Sequence, residues 1–574
     1  MLKKSLISCA IVMALGYGNA ALAAEPQSKN TQDTIQSDFM AGAQQNRVEI
    51  NQNSSESVEG NEINLLQSGE TNGAKATVTG GSNHITSEQK GNNNLQLTTV
   101  EGQSNHITHY QTGNEAQSSV ELTGDANMLS FNQSGDTGRG GISNEIRLKA
   151  QGDDNIVNVT QGSGGHWTYI DDLQGHNNEV TVEQQGEWGE VRLKEIVGEE
   201  NEFTIEQDGF WNVATVTELN GDENTVKVKQ EGDRNSYRID LLNGDENRLE
   251  SEQSGDNNAI AISTLNGTDN RLEFEQSGDN NAVAINELTG ADNRLEFDQS
   301  GNQNSVQIDL INGDDNSLST NQDGDSGVIS FAIIEGEDNN LSVQQQGNNN
   351  SLVSEMIVGT DNKLTALQSG QDNKFEVEMI GSDNNFNATQ TGLENTSYMG
   401  AVGDNNKFTN IQLGNNNDSH IANFNGSDNT FTVNQVGNDN RALVQTSYPN
   451  VSLDTTGNTI TLDQLQNEND ASVTLSSEVA SVNNTIDLVQ DGNLNAIDLM
   501  LEGSNNSVDI AQIGDMNMVV GIDQGAFVIA GNDLSFNVVQ DGTGNLVEGS
   551  MSQLNGDVSV TQVGDYNTTT IVQQ

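Results

Sequence analysis

The chain has 574 residues, but only 32% are apolar and 4% aromatic, with 59 Gly and 2 Pro. This composition is typical of disorder, and it is compatible with a folded core only if a periodic pattern places the few apolar residues. The formal charge is −62, from 22 basic and 84 acidic residues, which argues against nucleic acid as a partner.

Residues 1–23 have the features of a secretory signal peptide. Two lysines precede an apolar run at 6–15, and residues 21–23 form a small-x-small cleavage site. The apolar run is too short to span a bilayer, and no later segment reaches ~20 apolar residues. Cys9 lies inside the signal, so the mature chain is predicted to have no cysteine and no disulfide. We therefore expect a secreted chain that is not embedded in a membrane.

Residues 24–45 are polar and have no strand period, so they are predicted to be a flexible leader. A repeat begins weakly at Asn46, and residues 46–574 are predicted to form one repeat domain. Residues 270–292 show the repeating unit most clearly. Alternate positions carry residues suited to the inside of a strand, with Gly278 and Gly290 in the turns between strands. These inward positions are Asn270, Leu272, Phe274 and Gln276, followed by Asn281, Val283 and Ile285.

The leading asparagine of each unit recurs at steps of 22 or 23 residues over most of the chain. The 23-residue steps run without interruption through Asn155, Asn178, Asn201, Asn224, Asn247, Asn270, Asn293, Asn316, Asn339 and Asn362. Insertions at 134–150, 446–457, 466–479 and 521–533 are interpreted as loops within one array. The spacing predicts an all-β fold: a single long β-solenoid of stacked strand-turn-strand-turn rungs, each about seven residues per strand.

Amide side chains at inward positions are the most informative feature of the repeat. A buried amide without a partner costs about 1 to 3 kcal/mol, but identical amides ~4.8 Å apart can bond each to the next. We therefore expect amide ladders that stabilise stacking and serve self-assembly. The predicted ladder residues are Asn247, Gln253, Asn258, Asn270, Gln276, Asn281, Asn293, Gln299 and Asn304.

The last unit, SVTQVGDYNTTTIVQQ, resembles the repeat of the curlin family, the extracellular amyloid subunits of curli fibres. The matching positions are Ser559, Gln562, Gly564, Asn567 and Gln573, and Gln-x-Gly-x-x-Asn recurs in most other units. A second-strand glutamine is mostly absent, being replaced by Thr264, Glu287, Leu310 and Met379, so one glutamine ladder per rung is expected. The resemblance implies a β-solenoid that leaves the cell through a curli-type outer-membrane export machinery and pairs with itself or with related curli subunits.

These features predict a secreted structural subunit of an extracellular curli-like amyloid fibre at the cell surface, used in biofilm matrix and surface adhesion. The strand at 567–573 has no polar cap, so we expect end-to-end β-templating through an edge formed by Gln562, Asn567 and Gln573. The alternative is a monomeric acidic β-solenoid that acts as a surface adhesin or a cation-binding spacer.

The acidic turns have two interpretations. They can serve solubility by blocking lateral association, or they can bind Ca²⁺ weakly at stacked corners, namely Asp222, Asp245, Asp292 and Asp315. No other cofactor is expected. His84 and His106 share one outward position, with His109 nearby, and are interpreted as an exposed coincidence in preference to a metal site.

Carboxylates recur without a singular cluster, so no enzyme activity is expected. An ice-binding solenoid would need outward rows of Thr, whereas the outward rows are predicted to be Glu, Arg, Lys and Asp. Trp167, Trp188 and Trp211 are expected near loops and turns, as covers in preference to carbohydrate contacts.

Overall fold

The computed structural model describes residue 40, residues 45–54 and 59–136, and most of residues 143–573. Within the last range it leaves out positions 163, 172–173, 176–177, 196, 199, 222, 245, 268, 291, 314, 334, 337, 355, 360, 362, 379, 382, 384, 402–404, 406, 424 and 553–555. The signal peptide and nearly all of the predicted leader therefore lie outside the described residues. The chain divides into two units, within residues 1–305 and 306–574.

Unit 1 is built of parallel strands. Its described strands are β1 Arg47–Asn53, β2 Glu62–Ser68, β3 Gly73–Thr79, β4 His84–Lys90, β5 Leu95–Glu101, β6 His106–Thr112, β7 Gln117–Thr123, β8 Met128–Ser134, β9 Glu145–Gln151, β10 Ile156–Gln161, β11 Trp167–Ile170, β12 Glu179–Glu187, β13 Glu190–Leu193, β14 Glu202–Phe210, β15 Val213–Ala214, β16 Thr225–Glu231, β17 Ser236–Tyr237, β18 Glu252–Ser254, β19 Gln276–Ser277 and β20 Gln299–Ser300.

Unit 2 follows the same plan and adds one short 3-10 helix at Ile522–Gln524. Its described strands are β21 Thr320–Asp323, β22 Val343–Asn348, β23 Ser351–Ser354, β24 Ala366–Gln371, β25 Lys374–Val377, β26 Asn385–Leu393, β27 Thr396–Met399, β28 Lys407–Leu413, β29 Asp418–Ala422, β30 Gly426–Ser427, β31 Thr430–Val436, β32 Arg441–Thr446, β33 Thr455–Thr456, β34 Thr459–Leu465, β35 Asp470–Leu475, β36 Ser481–Val482, β37 Thr485–Asp491, β38 Ala496–Ser504, β39 Ser507–Ile513, β40 Met518–Val520, β41 Phe527–Ala530, β42 Ser535–Asp541, β43 Leu546–Met551, β44 Asp557–Val563 and β45 Thr568–Gln573.

In each unit the strands fall into two parallel sheets, one on each side of the core. We call the sheet whose strands carry the ladder glutamine the glutamine sheet, and the other the opposite sheet. The glutamine sheet contains β2, β4, β6, β8, β10, β12, β14, β16 and β18–β20 in unit 1, and β21, β22, β24, β26, β28, β31, β34, β37, β39, β42 and β44 in unit 2. The predicted all-β solenoid with a repeat of about 23 residues is confirmed.

The two-residue period decides which side chains form the core. Asn270 and Leu272 are both 0% exposed, and Phe274 and Gln276 are 1% and 2% exposed. The in-register pairing places like residues on top of each other, so the rings of Phe274 and Phe297 stack with centroids 5.4 Å apart. Each rung contributes few apolar residues, and burial is completed by the neighbouring rungs.

The expectation of two seven-residue strands per unit is wrong for part of the chain. From β17 onward in unit 1, the strands shorten to two or three residues and the rungs join through isolated bridges such as Arg248↔Arg271 and Arg271↔Arg294. Here Glu250, Glu273 and Glu296 have positive φ values of 57°, 104° and 128°. Like charge alone does not explain the shortening, because Glu183 and Glu206 stand opposite each other in the regular nine-residue strands β12 and β14.

The insertions in unit 2 are partly ordered. Short strands β30, β33 and β36 and the end of β38 pair in parallel, with Gly426 opposite Thr455, Thr455 opposite Ser481, and Ser481 opposite Gly503. The longer rungs at 446–479 therefore gain a third, two-residue-wide sheet. Residues 455–456 thus join a short sheet, whereas residues 447–454 contain no strand, as expected of a loop within one array.

One glycine column controls how closely the turns approach. Gly255, Gly278 and Gly301 have φ values of 108°, 107° and 105°. A Cβ on Gly278 would lie 2.1 Å from the carbonyl oxygen of Gly301 in the next rung. Only glycine fits this position without moving the backbone of a neighbour.

Gly278→Ala is therefore expected to lower the free energy of unfolding by about 3 kcal/mol, because both the backbone conformation and the contact are unfavourable. Gly60→Ala is the control, since a Cβ at Gly60 meets nothing within 4 Å. Urea unfolding of the full chain measures both variants. Equal stability of the two would contradict the role assigned to the glycine column.

Candidate functional site

The glutamine side chains form a continuous amide ladder inside unit 1. Gln253 Nε2 donates to Gln276 Oε1 at 2.9 Å, and Gln276 Nε2 donates to Gln299 Oε1 at 2.7 Å. The same bond joins each preceding pair back to Gln67, at distances from 2.7 to 3.1 Å. The predicted ladder residues Gln253, Gln276 and Gln299 thus lie in one chain of hydrogen bonds.

The second hydrogen of each ladder amide crosses the core. Gln253 Nε2 also donates to Ser236 O at 3.0 Å, and Gln276 Nε2 to Ala259 O at 3.2 Å. Both hydrogens are therefore used, one along the axis and one across it. A side chain with all its donors satisfied can be buried without the cost of an orphaned amide.

Unit 2 repeats this ladder from Gln322 to Gln562, with distances of 2.8 to 3.0 Å. In both units every Nε2 donates toward the higher-numbered rung. Each ladder therefore has a direction, and its two ends are chemically different. The low-numbered end presents a glutamine Oε1 acceptor, and the high-numbered end presents a glutamine Nε2 donor.

Asparagines form a second ladder at the turn that precedes the glutamine sheet. Asn247 Nδ2 donates to Asn270 Oδ1 at 2.9 Å, and Asn270 Nδ2 to Asn293 Oδ1 at 3.1 Å. From Asn83 to Asn178 the donation runs toward the lower-numbered rung instead. Where the directions meet, the buried Oδ1 atoms of Asn178 and Asn201 have no hydrogen-bond partner.

The asparagines of the other turn bond differently from the expected amide ladder. Asn258 N donates to Asn235 Oδ1 at 2.9 Å, and Asn281 N and Asn304 N bond in the same way to Asn258 and Asn281, each at 3.0 Å. Their Nδ2 groups bond to backbone carbonyls, as Asn258 does to Gly278 O at 2.7 Å. These residues join rungs by side chain to backbone bonds.

At its high-numbered end unit 2 presents strands that pair on one side only. Among the described residues, β44 pairs with β42 and β45 with β43, and with nothing further. Gln562 Nε2 donates to Leu546 O and to Thr569 Oγ1, both at 3.0 Å, so a threonine takes the place of the next glutamine. Asn567 bonds back to Asn545 Oδ1 at 2.8 Å, and Gln573 lies opposite Met551.

At its low-numbered end unit 1 presents β1, paired with β3, and β2, paired with β4. Val48 and Ile50, which align with the buried Ala74 and Ala76, are 48% and 44% exposed. Gln67 Oε1 is the acceptor end of its ladder. Among the described residues, the apolar positions of β1 are thus exposed at this end, and Met40 lies against Gly73 of β3.

The outward side of unit 1 carries columns of charge. Arg248, Arg271 and Arg294 each bond to the glutamate two residues later in the same rung. Glu252, Glu275 and Asp298 form the adjacent column, and burial together with the charges of Asp298 and Glu252 raises the pKa of Glu275. The carboxylates of this column therefore repel one another.

The structure corrects the interpretation of the histidines. His84 and His106 stack outward as predicted, with ring centroids 4.8 Å apart. His109 does not lie with them, because it is 1% exposed and points into the core. No group of three or more metal-binding side chains occurs among the described residues. Of the proposed Ca²⁺ corners, Asp222 and Asp245 lie outside the described residues.

The tryptophans are of two kinds. Trp188 and Trp211 lie at turns and pack edge to face with centroids 5.7 Å apart, and Phe210 completes the cluster. Trp167 is the first residue of strand β11, directly after the loop residues 164–166, and it is only 6% exposed. Trp167 belongs to a polar and aromatic group that was not predicted from the sequence. The group is aligned on three paired strands and consists of Glu145, Arg147, Trp167, Tyr169, Glu190 and Arg192.

The predicted absence of outward threonine rows is wrong for part of unit 2. Thr409, Thr432 and Thr461 stand opposite one another on β28, β31 and β34.

The parallel in-register coil with internal amide ladders defines a β-solenoid repeat protein. The family model described as Curlin associated repeat matches residues 198–236 and 483–514, one segment in each unit. The predicted resemblance to the curlin repeat is confirmed at these segments. The chain matches no curated protein. Within the described part of the chain, no helix has the length and apolar character needed to cross a membrane.

Proposed function

We propose that the protein is a secreted structural subunit of an extracellular curli-like amyloid fibre, and that it assembles by end-to-end β-templating. The observation that carries this proposal is the common direction of the two glutamine ladders, one starting from an acceptor at Gln67 in unit 1 and the other ending in a donor at Gln562 in unit 2. A ladder with unlike ends favours head-to-tail addition of identical copies, because only that order continues the donation. Biofilm matrix and surface adhesion are the roles that such a fibre would serve.

The joint is expected to place Gln562 of one copy against Gln67 of the next. Gln562 Nε2 would then exchange Thr569 Oγ1 for Gln67 Oε1. With Gln562 against Gln67, β2 stacks on β44 and β3 stacks on β45. Strand β1 already pairs with that edge of β3, so β1 has to leave β3 first. This step predicts a slow initiation and a faster growth from existing ends.

Seeded assembly of the full mature chain tests the proposal, with thioflavin fluorescence and electron microscopy at pH 7 and pH 4.5, with and without Ca²⁺. Unbranched fibres that seed their own growth are expected, and acid or Ca²⁺ should promote them by reducing repulsion in a chain of charge −62. Rods that remain monomeric under every condition would contradict the fibre proposal.

Replacing both Gln562 and Gln573 by alanine should slow elongation about tenfold, since a hydrogen bond at the joint is worth about 1 to 1.5 kcal/mol. The middle of the solenoid should keep its stability. Thr561→Ala, an outward change on the same strand, is the matched control. Elongation by the double variant at the control's rate would exclude templating through this edge.

The second candidate is a monomeric surface adhesin or cation-binding spacer. The column Glu252, Glu275 and Asp298 favours it, because stacked carboxylates oppose close approach of another copy. The same assembly experiment separates the two functions, and calorimetric titration with Ca²⁺ tests the spacer directly.

A further inference from the structure

The outward face of the glutamine sheet in unit 2 includes a long stretch with almost no charge. In unit 2, six successive rungs present four outward positions each, at residues 340–346, 363–369, 385–391, 407–413, 430–436 and 459–465. Of these twenty-four side chains only Lys363, Lys407 and Asp463 are charged. We call this surface the neutral face. Its other members are amides, hydroxyls and aliphatic residues.

The pairing of the strands makes the neutral face continuous. Isolated bridges align Asn340 with Lys363 and Lys363 with Asn385. Strand pairing then aligns Lys407 with Thr430 and Thr430 with Thr459. The outward side chains are exposed or half-exposed, with Leu367 at 37%, Leu413 at 38% and Val436 at 36%. This surface is therefore accessible along all six rungs.

Part of the equivalent face of unit 1 is strongly acidic. Its six rungs from 179 to 300 carry twelve acidic and five basic side chains at the same four positions. The acidic members are Glu179, Glu183, Glu202, Glu206, Asp208, Glu231, Glu250, Glu252, Glu273, Glu275, Glu296 and Asp298. The rungs at 106–112, 128–134 and 156–162 of unit 1 also carry no Asp, Glu, Lys or Arg at these positions, so the neutral face stands out by extending over six rungs.

The core beneath the neutral face contains a continuous stack of phenyl rings. Phe386, Phe408 and Phe431 are each 0% exposed and stack with centroids 4.9 and 5.0 Å apart. Such a ladder of rings holds three successive strands in register. The outward side chains of these strands form a regular array with the ~4.8 Å spacing of a parallel sheet.

We propose that the neutral face docks onto the neutral face of a second copy of this chain, so that copies associate side by side as well as end to end. Two chains of charge −62 repel each other over most orientations, and a face with net charge near zero is where they approach at the least electrostatic cost. Identical spacing on both copies lets side chains of one array fit between those of the other, as in a steric zipper.

The size of the neutral face is sufficient for a specific contact. Six strands ~4.8 Å apart and four outward positions per strand span roughly 700 Å², close to the ~800 Å² per partner of an ordinary interface. A flat polysaccharide is a weaker match, because none of the twenty-four side chains is aromatic and sugar rings stack on aromatic platforms.

Charge insertion with a matched control tests the proposal. Thr432→Glu with Thr461→Glu adds two charges to the neutral face, and Thr181→Glu with Thr204→Glu adds two at the same strand position in unit 1. Sedimentation equilibrium of the full chain at raised salt should show self-association that weakens at least tenfold in the first variant and stays unchanged in the second. Equal behaviour of the two variants would overturn the proposal.

Cross-linking locates the contact independently of fibre growth. In a Cys9→Ser background, Thr432→Cys should give dimers with a short thiol cross-linker and Thr204→Cys should not. Equal dimer yields from both positions would refute docking through the neutral face. Binding to an insoluble polysaccharide that is lost in the Thr432→Glu, Thr461→Glu variant, with sedimentation unchanged, would also overturn it in favour of a glycan. Because the dimer forms without end-to-end templating, its failure and that of the fibre proposal are distinguishable.

Discussion

Gln276→Ala is expected to lower the local free energy of unfolding by about 4 kcal/mol, since it leaves a cavity and removes the partners of two buried amides. Gln253 Nε2 loses its acceptor, and Gln299 Oε1 loses its donor. The side chain is only 2% exposed, so water cannot replace either bond without entering the core. The effect should be confined to the neighbouring rungs, because each rung contacts only the next ones.

Two further variants separate the hydrogen bonds from the volume. Gln276→Leu keeps most of the side-chain volume and still breaks the ladder. We therefore expect it to lose more than half as much stability as Gln276→Ala. Ser277→Ala, an outward change on the same two-residue strand, should stay within about 0.5 kcal/mol of the parent. Hydrogen exchange of the amides in rungs 247–300 measures the local stability directly. A Gln276→Leu variant as stable as the parent would show that packing alone holds these rungs.

The two-residue period and the 23-residue spacing were sufficient to predict the coil and its inward residues. Leu272 and Phe274 are buried, and Gln276 bonds along the axis, because period and register together decide what each side chain meets. The prediction succeeded since each inward position repeats in the next rung. That the inward Asn and Gln residues act in self-assembly remains a prediction.

The direction of the ladders could not be read from the sequence. An asparagine can donate to either neighbour, and the choice is collective, so the reversal between Asn178 and Asn201 has no local signature. The shortened strands at Glu250 and Glu273 have no signature in a single unit, since Glu183 and Glu206 stand opposite each other in full-length strands. The neutral face is likewise a property of six aligned rungs.

The place of His109 could have been predicted. His84 and His106 each follow the leading asparagine by one residue and point outward, whereas His109 follows Asn105 by four and therefore points inward. Strand pairing puts it in one column with Ser87 and Phe131. Proximity in sequence suggested a histidine group, but the alternation of the strand separates its members.

Acidification is expected to destabilise the rungs around His109. Burial lowers the pKa of His109 to about 3 from an ordinary value of 6.5, and no charged group contributes to this shift. Its Nδ1 lies 3.2 Å from Ser118 Oγ, and its Nε2 has no partner. The imidazole therefore stays neutral in the folded chain and takes up a proton on unfolding. Its contribution is fully present above pH 6.5 and is lost as the pH falls toward 3.

The size of this loss follows from about 1.4 kcal/mol per pH unit, which gives about 3 kcal/mol at pH 4.5 and about 5 kcal/mol at pH 3. His109→Phe with Ser118→Ala should remove it, because Phe131 occupies the same column in the next rung and no buried hydroxyl is left unpaired. His106→Phe, a change at an exposed position of the same strand, is the control and should keep the parent's pH dependence. Thermal unfolding from pH 7 to pH 4 measures all three chains.

Acid thus has opposite effects on assembly and on folding. Protonation of carboxylates such as Glu275, whose pKa is already raised, reduces the repulsion between copies, while protonation of His109 opens the rungs of unit 1. The His109→Phe, Ser118→Ala variant should therefore form fibres at a lower pH than the parent, without any change at neutral pH. If the parent and the variant stop forming fibres at the same pH, His109 does not limit the acid stability of the solenoid.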